Sequence, residues 1–306
     1  EQFKDKKRIK NYIDAFESRK QKKIRTFDGP EIDTKASDLI DDSKILHLIK
    51  TLIGDKKLNP LQSLSCRHSY YGNENLLVIA PTGSGKSLIG QLSIFRSILF
   101  NQSKAVWIVP SRALARQTAN DFTCLNDEKL KPLCLLGSEE VKEEDLINSK
   151  LWICTTEKFE ALLRKKSINK ITEEIETIVI DEIHNLSDKN RGQTLESLIS
   201  RYRNRSPQKR VVGLSATLKN DEEFAAWLNS RLIKSLYRQS ILNKEVVKYE
   251  SNQLSWREEE IIKGEALINL IKRILIDKEK KGSILVFCFA RATCLISAFE
   301  LLNYLS

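Results

Sequence analysis

The chain has 306 residues, 41% of them hydrophobic and 30% charged, and its 51 Lys and Arg against 41 Asp and Glu give a formal net charge of +10. That length allows two ordinary domains or one large one, and the composition excludes a disordered, collagen-like or low-complexity chain. No apolar run approaches the ~18–20 residues of a membrane span, the first 25 residues lack the apolar stretch of a signal peptide, and the basic excess points to a polyanionic partner, nucleic acid before an acidic membrane.

Residues 1–25 carry two basic clusters, Lys4, Lys6, Lys7, Arg8 and Lys10, then Arg19, Lys20, Lys22, Lys23 and Arg25. Ile9, Tyr12, Ile13 and Phe16 recur at helical spacing, which predicts an amphipathic helix. Two readings stand, a solvated helix packed on the main domain or a nucleic-acid contact. Residues 26–42 are acidic and polar and read as a linker. A helix is expected over 43–53 with Ser43 as its cap.

From Asn75 the pattern changes. Short apolar runs at 76–80, 105–109, 133–136, 151–154, 178–180 and 211–214 alternate with helical stretches. Near-continuous apolar strands alternating with helices predict an α/β fold, a doubly wound parallel sheet covered on both faces. In such sheets ligands bind at the carboxyl ends of the strands. Beyond residue 219 helices are expected over 221–230 and 258–280, then a buried-strand pattern over 283–289 and a helix over 292–304. That last pair reads as the first strand and helix of a second α/β domain. The expected division is therefore a basic helical extension at 1–57, a nucleotide-binding domain at 58–235, a linker and helix at 236–282, and the start of a second domain at 283–306.

The six cysteines, Cys66, Cys124, Cys134, Cys154, Cys288 and Cys294, include no Cys-x-x-Cys pair, and the chain has three His. They read as reduced, mostly buried thiols of an intracellular protein, without a structural metal.

The strongest chemical signal is Ala80-Pro81-Thr82-Gly83-Ser84-Gly85-Lys86-Ser87, directly after the first strand. Glycines there let successive backbone N–H groups turn toward phosphates, Lys86 supplies a point charge, and the Ser87 hydroxyl can ligate Mg²⁺. The helix that follows adds its positive end. Ala80 stands where the loosest form of this motif has its first glycine. The second signal is Ile178-Val179-Ile180-Asp181-Glu182-Ile183-His184, a buried strand delivering two carboxylates. Mg²⁺ takes oxygen ligands, so Asp181 suits the metal, and Glu182 suits a base that deprotonates water. On its own the pair could equally be an acidic strand end capping a helix.

In this order the residues carry a resemblance. Asp181-Glu182-Ile183-His184 resembles motif II of the DExH-box helicases of superfamily two. Asn59-Pro60-Leu61-Gln62 resembles their adenine-reading motif, Pro110-Ser111-Arg112-Ala113-Leu114-Ala115 motif Ia, Thr155-Thr156-Glu157-Lys158 the Thr-x-Glu-Lys motif, and Ser215-Ala216-Thr217 motif III. Arg191-Gly192, Leu195-Glu196 and residues 220–228 are similar to the superkiller-like branch. Residues 287–291 resemble motif IV.

The resemblance implies a RecA-like domain with the start of a second one, ATP and Mg²⁺ as cofactors, and an ATP-dependent 3′-to-5′ single-strand translocase or helicase. It implies that Gln62 reads adenine, that Thr82, Gly83, Ser84, Gly85, Lys86 and Ser87 hold the phosphates, and that Ser87 and Asp181 hold the metal. Lys86, Asp181, Glu182 and His184 become the catalytic set, with His184 coupling motif II to the second domain. Ser111, Arg112, Thr155, Thr156 and Arg291 become contacts to a single strand, a sequence-blind role that hydroxyls and a guanidinium suit. Strand-end capping for Thr155 and Thr156, and a solvent salt bridge for Arg112, are the structural alternatives.

The expected partner is single-stranded or tailed nucleic acid, DNA favoured over RNA, without a membrane and with room for an effector protein. The setting is DNA repair or anti-phage defence, in the cytoplasm of a bacterium or the nucleus of a eukaryote. No Gln-x-x-Gly-Arg-x-x-Arg motif occurs, so the chain is expected to be the N-terminal part of a longer helicase, nearly inactive alone. The rival functions are an ATP-switched clamp or sensor without unwinding activity, an RNA helicase and, more remotely, a small-molecule kinase.

Overall fold

Aliphatic runs that alternate with helices assemble here into one sheet. The structure, a computed structural model, describes residues 33–137, 141–188, 192–205, 209–238, 265–271, 273, 284–288 and 291–305. The expected basic helix over 1–25 and the Arg191 of the branch motif lie outside these residues. In chain order the elements of the first part are α1 (Ser43–Ile53), α2 (Pro60–Tyr70), β1 (Asn75–Ile79), α3 (Lys86–Phe95), β2 (Lys104–Val109) and α4 (Arg112–Thr123). They continue as β3 (Pro132–Leu135), α5 (Glu143–Asn148), β4 (Leu151–Thr155), α6 (Thr156–Arg164), α7 (Asn169–Glu173) and β5 (Ile175–Ile180). A 3₁₀ turn (Ile183–Ser187), α8 (Gly192–Arg203), β6 (Arg210–Ser215), α9 (Asp221–Leu228) and β7 (Ser230–Lys234) complete it.

The seven strands pair in the order β3-β4-β2-β5-β6-β1-β7, every pair parallel. Trp107 pairs with Val179, Val179 with Val212, and Val78 with Leu214. Because side chains alternate, these residues share one face and pack with Ile45, Leu61, Leu88 and Phe122 of the helices on that side. Leu77, Val106, Ile178 and Val211 point the other way, toward Phe159, Leu198, Tyr202 and Leu228. Two buried faces remove any need for polar alternation, which is why the central strands read as unbroken apolar runs. Helix α3 lies close on the sheet at Gly90, where a Cβ would come within 2.6 Å of the Trp107 ring.

Several expectations are corrected. Helix α1 is capped by Asp42, whose carboxylate accepts from the Lys44 and Ile45 N–H groups, and Ser43 is its first residue. Residues 33–42 are no free linker: Thr34 bridges to Leu58, and Ile40 is buried in the core. Burial of that apolar side chain is what ties the segment down. The helix expected over 221–230 ends at Leu228, and Asn229 in the left-handed region turns the chain into edge strand β7. Of the cysteines only Cys66 and Cys154 are buried; Cys124, Cys134 and Cys294 are exposed and Cys288 is half-buried, all as free thiols. Cys134 lies on β3, which among the described residues is an edge strand paired with β4 alone.

The chain divides into two units, Glu1–Ser240 and Ile241–Ser306. In the second, residues 265–271 are helical and a helix α10 spans Arg291–Leu305. The strand expected over 283–289 is absent from its described residues, 284–288, where Leu285 and Phe287 are exposed. A strand needs a neighbour to satisfy its N–H and C=O groups, and the described residues of this unit offer none.

Candidate active site

Strands β5, β6 and β1 are adjacent, so the segments leaving their carboxyl ends converge. The loop after β1 starts against β6, where the Ala80 N–H donates to the Ser215 carbonyl at 3.1 Å. Gly83 and Gly85 have φ of +78° and +81°, left-handed values that suit glycine. Lys86 opens α3, and its ammonium curls back to donate to the carbonyls of Ala80 at 2.6 Å and Pro81 at 3.0 Å. Burial lowers its pKa, opposed by the charges of Glu182 and Asp181.

Asp181 leaves β5 with its N–H on the Ile108 carbonyl, 2.9 Å away, and its carboxylate accepts from the Glu182 N–H at 3.0 Å. Burial raises its pKa and the Glu182 charge adds to this; the Glu182 N–H, Lys86 and His184 act the other way. Glu182 takes the left-handed conformation, φ 51°, an outlier for a non-glycine residue that costs on the order of 1–3 kcal/mol. No sequence signal announces it. His184 Nδ1 lies 3.2 Å from Glu182 Oε2 and 3.3 Å from Ser215 Oγ, and the Ser215 hydroxyl donates to the Thr217 carbonyl at 2.9 Å. One imidazole thus touches both the β5 carboxylate motif and the end of β6.

Whether these residues suit a magnesium–nucleotide complex can be tested on unmet polar atoms. Ser84 Oγ is buried without a hydrogen bond, a costly state that a polar ligand relieves. Nothing lies within 4 Å of a Cβ built on Gly83, and Thr82 and Ser87 are exposed, so there is open space beside the loop. Among the described residues no three His, Cys, Asp or Glu gather as a metal site. One hydroxyl and one carboxylate, Ser87 and Asp181, are hard oxygen donors of the kind Mg²⁺ combines with phosphate oxygens and water. The residues fit.

At the other side of the loop, Asn59 and Gln62 form a reciprocal cap on α2: Asn59 Oδ1 accepts from the Gln62 N–H at 3.0 Å, and Gln62 Oε1 accepts from the Asn59 N–H at 3.1 Å. Gln62 Nε2 donates to the Gly85 carbonyl at 3.2 Å. An amide has a second lone pair and a second N–H, so Gln62 can still meet a base edge without releasing either contact.

Four of the five expected nucleic-acid residues, Ser111, Arg112, Thr155 and Thr156, lie at the carboxyl end of the same sheet. Val109 pairs with Thr155, so the ends of β2 and β4 are neighbours. Ser111 caps α4, accepting from the Leu114 N–H at 3.3 Å, and Arg112 is exposed. The Arg112 guanidinium lies beside the backbone of Gly137, where a Cβ would come within 3.2 Å of it. Thr155 and Thr156 are half-buried, and Thr155 makes no side-chain cap to α6, which sets the capping alternative aside for that residue. Arg291 opens α10 in the second unit, and its side chain lies outside the described residues. Asn59 carries no role of its own in the sequence motif, although Asn-Pro-x-Gln is a helix-start signature; here its Nδ2 also donates to the Ser84 carbonyl at 2.9 Å.

A family model described as DEAD/DEAH box helicase matches residues 59–224. Among curated proteins, an "ATP-dependent DNA helicase Hel308" of Pyrococcus horikoshii is 34% identical over 267 residues, 87% of this chain and 36% of that protein. Its namesake in Pyrococcus abyssi is 36% identical over 249 residues, 81% of this chain and 33% of that protein. Another, from Caldivirga maquilingensis, is 32% identical over 258 residues, 82% and 33% of the two chains. The chain spans about a third of the length of these curated relatives.

Proposed function

The chain belongs to the DEAD/DEAH box helicase family, and from that premise we propose that it is the ATP-binding, RecA-like part of a DNA helicase. The observation that carries the reading is the convergence of Lys86, which follows β1, with Asp181 and Glu182, which follow β5, on either side of β6, close enough for both carboxylates to act on the Lys86 ammonium. Lys86 exchanges its two loop carbonyls for the phosphates, helped by N–H groups at the start of α3. Ser87 and Asp181 would hold Mg²⁺, which supplies neutralisation of phosphate charge. Glu182 lies within reach of Asp181 and Lys86 and takes the proton of the water that attacks the terminal phosphate. Gln62 selects adenine. His184, bonded toward both Glu182 and Ser215, passes the state of the carboxylate motif to β6.

DNA is favoured because the relatives are named DNA helicases. The track is the carboxyl end of the sheet at Ser111, Arg112, Thr155 and Thr156, whose groups suit phosphates and not bases. The finer reading is 3′-to-5′ movement along one strand, in DNA repair or anti-phage defence. The experiment is phosphate release by the full-length protein with single-stranded DNA, RNA of the same length, or neither. Stimulation by DNA above RNA is expected; hydrolysis indifferent to any strand contradicts the reading.

A further inference from the structure

Asn59 does more than cap a helix. While its Oδ1 accepts from the Gln62 N–H, its Nδ2 donates to the Ser84 carbonyl at 2.9 Å, and Gln62 Nε2 takes the next carbonyl, that of Gly85. The start of α2 thus holds two successive carbonyls of the loop. A trans peptide points its N–H opposite to its C=O. Pulling the Ser84 and Gly85 oxygens toward α2 therefore sends the N–H groups of Gly85 and Lys86 to the opposite side. The post that pulls is itself fixed: Arg210, buried at the start of β6, donates to the Ser69 carbonyl at 3.0 Å and the His68 carbonyl at 2.8 Å at the far end of α2.

We propose that Asn59 is a positioning residue that aims the Gly85 N–H at the nucleotide phosphates by holding the Ser84 carbonyl. The proposal rests on the reading of this loop as a nucleotide site. Asn59 touches neither base nor phosphate; it acts through the loop backbone, and it makes one rigid piece of the adenine reader and the phosphate cradle.

A cap and a positioner can be separated because Asn, Asp and Ser cap helices about equally well, whereas Ala does not. Asn59→Ser is too short to reach Ser84 while still capping α2, and Asn59→Asp reaches it with an acceptor in place of a donor. The test is thermal unfolding of the full chain together with calorimetric titration with MgATP, for wild type, Asn59→Ser, Asn59→Asp and Asn59→Ala. The Ser and Asp variants should unfold close to wild type yet bind MgATP about tenfold more weakly or worse, the scale of one lost hydrogen bond. Asn59→Ala should lose both stability and affinity. Affinity within twofold of wild type in the folded Ser and Asp variants would overturn the assignment and leave Asn59 a cap alone. Failure of the wild type to bind MgATP would instead overturn the nucleotide reading, and this assignment with it.

Discussion

Gly85→Ala is the substitution whose cost the geometry fixes most closely. Gly85 has φ of +81°, and a left-handed residue with a Cβ costs about 1–2 kcal/mol. A Cβ there would also lie 2.4 Å from Gln62 Nε2 and 3.0 Å from Asn59 Nδ2. Both amides must swing away, which forfeits their bonds to Gly85 and Ser84 at about 0.5–1.5 kcal/mol each. The total is roughly 2–5 kcal/mol. Gly83 provides the control, since its φ is +78° but its would-be Cβ meets nothing within 4 Å. Gly83→Ala should therefore cost only the backbone part, about 1–2 kcal/mol. The chain can meet either cost by losing stability or by rearranging the loop, so denaturant unfolding and MgATP titration are read together. Gly85→Ala should be worse than Gly83→Ala in their sum by about 1–3 kcal/mol. Two variants indistinguishable in both measurements would refute the clamp geometry at Gly85.

Glu182→Gln in the full-length protein keeps the shape and the contact toward His184 but removes the base; ATP binding should persist while single-turnover hydrolysis falls ~10²–10⁴-fold, and retained turnover would move the base elsewhere. Arg112→Ala should weaken single-strand binding about equally for all sequences and make the log–log salt dependence shallower by about 0.7, the share of one phosphate; an unchanged slope would remove Arg112 from the track. Burial, aided by the Arg205 charge and opposed by Glu173 and Glu176, brings the Lys209 ammonium down to about 8. The unfolded chain keeps that proton up to about pH 10.4, so wild type should gain stability relative to Lys209→Gln as pH climbs from 8 to 9, while the Cys66 and Cys154 thiols, both raised by burial, act in the opposite sense equally in the two proteins from about pH 8.5, where the unfolded thiol titrates. A difference between the two proteins that stays constant over this range would remove Lys209 as the titrating group.

Strands β1, β5 and β6 were legible because both faces are buried, so periodicity gives way to a plain apolar run ending in a motif. The same logic hid β7. Ser230-Arg231-Leu232-Ile233-Lys234 is an edge strand with only its two middle residues buried, and such a short apolar pair reads as the tail of a helix. Asp42 and Ser43 are both good cap residues, so sequence alone could not choose between them. Cys134 has apolar neighbours in sequence, but the edge position of β3 leaves it exposed. Lys86, Asp181 and Glu182 were legible as motifs; the left-handed turn at Glu182 was not, because neither a glycine nor an asparagine marks it. The double use of the Asn59 amide is likewise invisible until the loop and α2 are placed side by side.

The central claim is that this chain holds a nucleotide on the loop between β1 and α3, and the most direct measurement is calorimetric titration of the chain and its Lys86→Ala variant with MgATP. Lys86 places its ammonium against two loop carbonyls at 2.6 and 3.0 Å, and its charge-assisted bonds to phosphate are worth about 1.5–3 kcal/mol each. The account predicts one site per chain, weakened at least 10²-fold by Lys86→Ala, with the unfolding transition of the variant still cooperative. Equal affinity of the two proteins for MgATP, or no binding by either, would contradict it.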